Sequence, residues 1–250
     1  EIPSPNHYSG LASIGGGGVS ALSSLMLANS DFFTGAFPAE YGNAMSGVFD
    51  IKLRTGNNET FEHAIQAGTM GMDVSSEGPL FKAGKASYLF NYRYSTFALI
   101  RYVLPDYIPV LKYQDLCFKF NFPTKKAGVF SLWALAYLDK QDPLINEDTV
   151  SWSKRSDQEY DESNIRMGVL GINHKLITGK KTYINTSASV SADYFEYDVK
   201  YYDFDLNLYD LRHVENMNYN FRFTSVLNHK FNPKHTNRSG FLVKRYAYDT

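Results

Sequence analysis

The 250-residue sequence contains one cysteine, Cys117, which rules out an internal disulfide framework and, with no CxxC pair, offers no zinc signature. Long apolar runs are also missing. None approaches the roughly 18 residues that a membrane-crossing helix needs, and the mean hydropathy is −0.33. Strands escape that test, because each needs only about 9 to 11 residues to cross a bilayer and half of those can be polar. Charge excess of either sign is absent: 25 Lys and Arg against 26 Asp and Glu leave a formal net charge of −1. No bulk positive field therefore exists to draw a nucleic acid partner. Catalytic signatures are missing as well, since no HExxH, GxSxG or Walker loop occurs and the run Gly15 to Gly18 lacks the Lys-Ser/Thr of a phosphate cradle. No enzymatic activity, cofactor or metal is expected. Asp203, Asp205 and Asn207 alternate in the manner of a calcium loop, but the EF-hand glycine and glutamate are not there. No signal peptide opens the chain, and Glu1 to Ser4 reads as the middle of a longer sequence.

What the sequence does have is aromatic residues, 16% of the total, placed on alternate positions. Read as a strand, 218 to 228 sends Tyr219, Phe221, Phe223 and Leu227 one way and Asn218, Asn220, Arg222, Thr224 and Asn228 the other. In 183 to 194, Ile184, Ala188, Val190, Ala192 and Tyr194 oppose Asn185, Ser187, Ser189, Ser191 and Asp193. In 87 to 95, Tyr88, Phe90, Tyr92 and Tyr94 oppose Ser87, Asn91, Arg93 and Ser95. In 113 to 122, Leu116, Phe118, Phe120 and Phe122 oppose Asp115, Cys117, Lys119 and Asn121. A soluble sandwich alternates too, but usually with Val, Ile and Leu inside and Lys, Glu and Thr outside. Rows of Tyr and Phe facing small polar residues fit a transmembrane barrel, with its aromatic girdles and polar lumen.

Two regions follow. Residues 1–58 are glycine-rich with few alternating runs, a compact turn-rich module; residues 59–250 read as strand, connection, strand. Short connections fall at Phe81 to Lys85, Pro123 to Gly128, Thr178 to Lys181 and Asn232 to His235, and long ones at Ser95 to Lys112, Asp139 to Ser163 and Asp198 to Val214. Short turns on one side and long loops on the other give about nine antiparallel strands, a number that implies further strands in a closed bacterial barrel. Ile165 to Lys175 changes its apolar face midway, which predicts a bulge near Gly168 or Gly171. Phe241 to Tyr246 has no clear pattern.

Two further features bear on ligands. His7, between Asn6 and Tyr8, lies in a segment expected to face a ligand path, but reads first as a satisfied structural histidine, with ligand contact as the alternative. The cluster Tyr197, Tyr201, Tyr202, Phe204 and Tyr209 can stack on a sugar ring or a planar chelator, or pack its own loop.

The stretch 31 to 58, DFFTGAFPAEYGNAMSGVFDIKLRTGNN, resembles the end of the plug domain of TonB-dependent outer-membrane receptors, and most of all the Bacteroidetes branch that carries a carboxypeptidase-regulatory-like domain. Its most specific elements are Tyr41-Gly42-Asn43-Ala44 and Ser46-Gly47-Val48. Residues 1 to 8 resemble the segment after that family's "DG" turn; Gln66 to Thr69, Ser76 to Leu80 and Ser87 to Ser95 resemble its first three barrel strands. The resemblance implies an all-β fold: the C-terminal part of a plug domain (1–58) and the N-terminal part of a transmembrane β-barrel (59–250). It implies plug-gated, energised uptake of a large or scarce nutrient at the cell outer membrane, with TonB, outer-membrane lipid and a surface lipoprotein lid as partners. The family barrel has about 22 strands, and no TonB box is present in these residues. The alternative is a barrel of the same family that transports nothing and scaffolds surface lipoproteins or secretion machinery. Site residues expected on the lumen or ligand path are His7, Tyr8, Arg93, Asp115, Asp193 and Arg222, and Tyr41, Gly42, Asn43, Ser46 and Gly47 are expected to shape the plug, with Gly42 at positive φ.

Overall fold

The computed structural model describes residues 2, 4–8, 19–35, 37–38, 41–42, 47–68, 71–82, 84–96, 111–141 and 148–249. Two short antiparallel ribbons come first: β1 (Asn6–His7) with β2 (Val19–Ser20), and β3 (Asp31–Phe33) with β4 (Val48–Asp50). Nine strands then form one antiparallel sheet: β5 (Glu62–Gly68), β6 (Gly71–Pro79), β7 (Ser87–Tyr94), β8 (Leu111–Pro123), β9 (Val129–Gln141), β10 (Glu159–Gly179), β11 (Thr182–Tyr202), β12 (Leu208–Asn232) and β13 (His235–Asp249). Each pairs with its neighbours in sequence, and the sheet is open, with β5 and β13 at its two edges.

Alternation gives this sheet two unlike faces. On one, Leu89, Asn91, Asp115, Cys117, Leu135, Tyr137, Asp139, Ile165, Met167 and Val169 are all buried. On the other, Phe90, Tyr92, Leu138, Leu170, Ile172, Tyr219, Phe221 and Phe223 stay exposed. The cover on the first face comes from the amino-terminal region. Ser23 caps a single 3-10 turn, Ser24–Met26, by accepting a hydrogen bond from the Leu25 amide at 3.3 Å. That turn delivers Leu22 and Met26 into a cluster with Leu89, Cys117, Leu135, Tyr137 and the apolar residues of β10. A bridge between Leu27 and Leu53 and the bond from the Arg54 amide to the Met26 carbonyl (2.9 Å) tie the returning segment to the same layer. Over β6 to β10 the aromatic face is therefore the bare one, and the polar face is the packed one.

Several expectations change. The strands outrun their alternating stretches. β11 and β12 leave only 203–207 between them, and Asp139 lies in β9 rather than in a loop. The bulge expected near Gly168 or Gly171 is absent. β10 pairs in unbroken register from Glu159 to Ile177 with β11, and its only shift lies between Ile177 and Gly179. The change of apolar face instead follows the cover: Ile165, Met167 and Val169 meet the Leu22–Met26 layer, while Leu170 and Ile172 point to the bare side. Gly171 lies on the covered face, where a Cβ would collide with the Trp133 indole. The unclear stretch 241–246 is ordinary strand within β13. The last strand of the first region is shorter than Val48 to Arg54, ending at Asp50 before the Leu53 bridge.

Candidate functional site

The covered face carries two clusters of polar side chains, one toward each end of the strands. The first gathers on His7. Pairing places Arg93, Asp115 and Tyr137 side by side on β7, β8 and β9, and Asp139 opposite Tyr113 one pleat away. β1 lays His7 over them with no exposure. Its Nδ1 lies 2.5 Å from Asp139 Oδ1 and its Nε2 lies 3.0 Å from Asp115 Oδ2. Arg93 donates from Nε to Asp115 Oδ2 at 2.8 Å, pairs with it through its terminal nitrogen at 2.7 Å, and donates to the Ser20 carbonyl of β2. The Tyr113 and Tyr137 rings flank the imidazole at 4.3 and 5.0 Å between centroids. Burial alone disfavours a charged imidazole; the Asp115 and Asp139 contacts more than offset this and hold the His7 pKa above its ordinary value.

Tyr8 completes the contact. Its backbone sits at φ 57°, in the left-handed region, where a bulky side chain is strained. That kink aims its amide at Asp139 Oδ2 (2.8 Å) and its hydroxyl at the Lys112 carbonyl (2.7 Å). One carboxylate, Asp139, thus grips two successive residues of the covering segment.

The second cluster lies toward the short-turn end. Arg54 pairs with the 6%-exposed Glu77 at 2.6 Å and donates from Nε to the Leu25 carbonyl at 2.6 Å. Glu77 also accepts from the Asn57 amide at 2.7 Å. Lys119 donates to the Leu53 carbonyl at 2.8 Å. Gly56 packs so tightly on β7 that a Cβ there would overlap the Tyr88 carbonyl.

Of the residues expected from the sequence, His7, Tyr8, Arg93 and Asp115 come together. Asp193 shares their cross-strand row, three strands from Asp115, and accepts from Asn218 at 2.7 Å. Arg222 lies on the same face, half-buried and opposite Ser189. Tyr41 packs its ring 5.6 Å from Phe33, and a Cβ on Gly47 would touch the Phe32 ring at 3.0 Å. Gly42 departs from expectation. The left-handed glycines among the described residues are Gly35 and Gly128, and a Cβ on Gly42 meets nothing within 4 Å. Asn43 and Ser46 lie outside the described residues. Sequence reasoning missed Asp139, Glu77, Arg54 and Lys119 as partners. Asp139 two residues after Tyr137 continues the alternation of β9, the one available signal.

A separate cleft of about 510 Å³ opens at the long-loop end, lined by Trp152, Lys154, Gln158, Tyr201, Phe204 and Tyr209 among others. The Trp152 and Phe204 rings lie 5.6 Å apart, and Phe204 is 69% exposed. The turn beneath is braced by Asp203, whose Oδ1 accepts from the Asp205 amide (3.0 Å) and the Asn207 amide (2.8 Å). The alternation of Asp203, Asp205 and Asn207 thus serves the turn itself. Compared with family models, with curated proteins and with solved structures, the chain matches none.

Proposed function

We propose that this chain forms the end of the plug and the first part of the wall of a TonB-dependent outer-membrane receptor, which takes up a large or scarce nutrient by moving the plug. The observation that carries the reading is the inverted polarity of the sheet. Over β6 to β10 its polar face is packed beneath the amino-terminal region, and its aromatic face is left uncovered. In water this arrangement exposes the costly side, whereas in a bilayer hydrocarbon covers it at no cost. The lengths agree, since β8 to β13 run from 13 to 25 residues, more than the about 11 that a barrel strand uses to cross. No helix among the described residues is long and apolar enough to cross a membrane.

In this reading Arg93, Asp115 and Asp193 line the lumen side and the first two hold the plug. The ring-lined cleft at the long-loop end receives the cargo. Trp152, Tyr201, Phe204 and Tyr209 offer apolar faces, while Lys154 and Gln158 offer polar ends, which suits a ring-bearing polar solute. No bond in the cargo is made or broken; the cycle is binding, plug movement and release.

Cysteine scanning in cells tests the membrane assignment. Phe221→Cys should react with a lipid-soluble maleimide and resist a charged one, and neither variant of the opposite face, Asn220→Cys or Arg222→Cys, should show that preference. Equal labelling of all three by the charged reagent overturns the assignment. Transport is tested by uptake of labelled oligosaccharide, ferric chelate and cobalamin with and without TonB. A panel member taken up only with TonB supports the receptor. TonB-independent retention of surface lipoproteins without uptake supports the scaffold instead.

A further inference from the structure

The His7 cluster is more elaborate than anchoring a segment requires. Both imidazole nitrogens face carboxylate oxygens, at 2.5 and 3.0 Å, in a place with no solvent exposure. A neutral imidazole has one N–H and one lone pair, so one of these contacts would set a lone pair against a carboxylate; only the doubly protonated ring donates to both. The groups that face the ring are Arg93 from β7, Tyr113 and Asp115 from β8, and Tyr137 and Asp139 from β9. Asp73 of β6 lies one strand beyond Arg93, bonded to Asn91. With the ring protonated, His7 and Arg93 balance Asp115 and Asp139; with it neutral, one buried negative charge is left over, and Asp73 adds to the imbalance.

We propose that His7 is held as an imidazolium between Asp115 and Asp139, and that these contacts form a pH-sensitive catch fastening residues 5–8 to the sheet. The raised pKa agrees with this geometry. The sign follows from linkage. A group whose pKa is higher when docked contributes its full stabilisation below its free value, about 6.5 for histidine, and loses it as pH rises through the docked value. Across that window, undocking of the segment becomes up to about tenfold easier per pH unit for one proton, and then levels off. The strained backbone at Tyr8 assists release, because the left-handed kink persists only while Asp139 and the Lys112 carbonyl hold it. The catch stands on the cluster alone and does not require the transport reading. If that reading also holds, the catch retains the plug at the outer end of the wall.

Two measurements on the full chain in detergent micelles test it. Long-range proton–nitrogen correlation on histidine-labelled protein should show His7 with both ring nitrogens predominantly protonated at about pH 6.5, where a free histidine is half neutral. Hydrogen exchange, corrected for the intrinsic base-catalysed rate, should show protection at residues 6–8 and 19–22 falling about tenfold per pH unit above about 6.5. In His7→Gln that pH step should vanish, and in Asp139→Asn it should still begin near about 6.5 but be smaller and level off at a lower pH. A neutral-tautomer pattern for His7 at about pH 6.5, or a pH step of equal size in His7→Gln, overturns the proposal. If either variant fails to fold, the nitrogen pattern of the unaltered chain still decides the matter.

Discussion

Leu170 allows the medium around the bare face to be read as one number. It lies on β10 between Ala134 of β9 and Val190 of β11, in the middle of the sheet, and is 44% exposed. If water bathes this face, Leu170→Arg replaces a half-exposed leucine with a soluble side chain. The expected change is then within about 0.5 kcal/mol, as for most surface substitutions. If hydrocarbon covers the face, a guanidinium near the midplane costs about 2–4 kcal/mol. At about 1.36 kcal/mol per factor of ten, that is roughly 30- to 900-fold in the folding equilibrium. Leu170→Ala removes the leucine without adding charge and isolates the part due to lost apolar contact. The assay is reversible urea unfolding of protein folded into lipid vesicles, followed by the fluorescence of Trp133 and Trp152. Leu170→Arg within about 0.5 kcal/mol of Leu170→Ala in vesicles would refute the membrane assignment of the face.

Phe221→Arg should cost about 2–4 kcal/mol in the same vesicles and Asn220→Arg far less; similar losses would show that the two faces have been assigned wrongly. Arg54→Met strands the buried Glu77 carboxylate and should cost about 2 kcal/mol, tempered by the partial exposure of Arg54. Adding Glu77→Gln should restore most of it in a double-mutant cycle, and a purely additive result would deny the coupling. Met26→Ala, at a fully buried position, should cost about 2–5 kcal/mol of docking of the amino-terminal region. Faster proteolysis between residues 5 and 57 reports it, and an unchanged digestion rate would count against the packing. Gly56→Ala should lower the melting temperature by overlap with the Tyr88 carbonyl, whereas Gly42→Ala should leave it unchanged.

The sheet was legible where one face is oily. In 218–228, 183–194, 87–95 and 113–122 the aromatic rows mark the register correctly, because period-two alternation records a difference between the two sides. The strand extensions were not legible. Tyr197 to Tyr202 and Leu208 to Val214 carry polar or aromatic residues on both sides, so no period survives even though the backbone pairs. The short turns came through because Gly, Pro, Asn and Lys punctuate them. In the candidate site, Arg93 and Asp115 were visible as charges among the polar residues opposite the aromatic rows. Asp139 was hidden, because its partner His7 lies 132 residues away and no local pattern records so distant a pairing. The Ile165 to Leu170 switch misled for a related reason: an apolar residue on the covered side has meaning only once the covering layer is known.

Every strand of the large sheet is bonded only to the strands just before and just after it in the chain. Such a meander grows by whole hairpins. Loss or duplication of two consecutive strands leaves the remaining pairings and their up-and-down sense intact, whereas loss of one strand reverses the direction of all that follow. The width of this sheet can therefore change during evolution in steps of two, without re-inventing the seam at which the amino-terminal region sits.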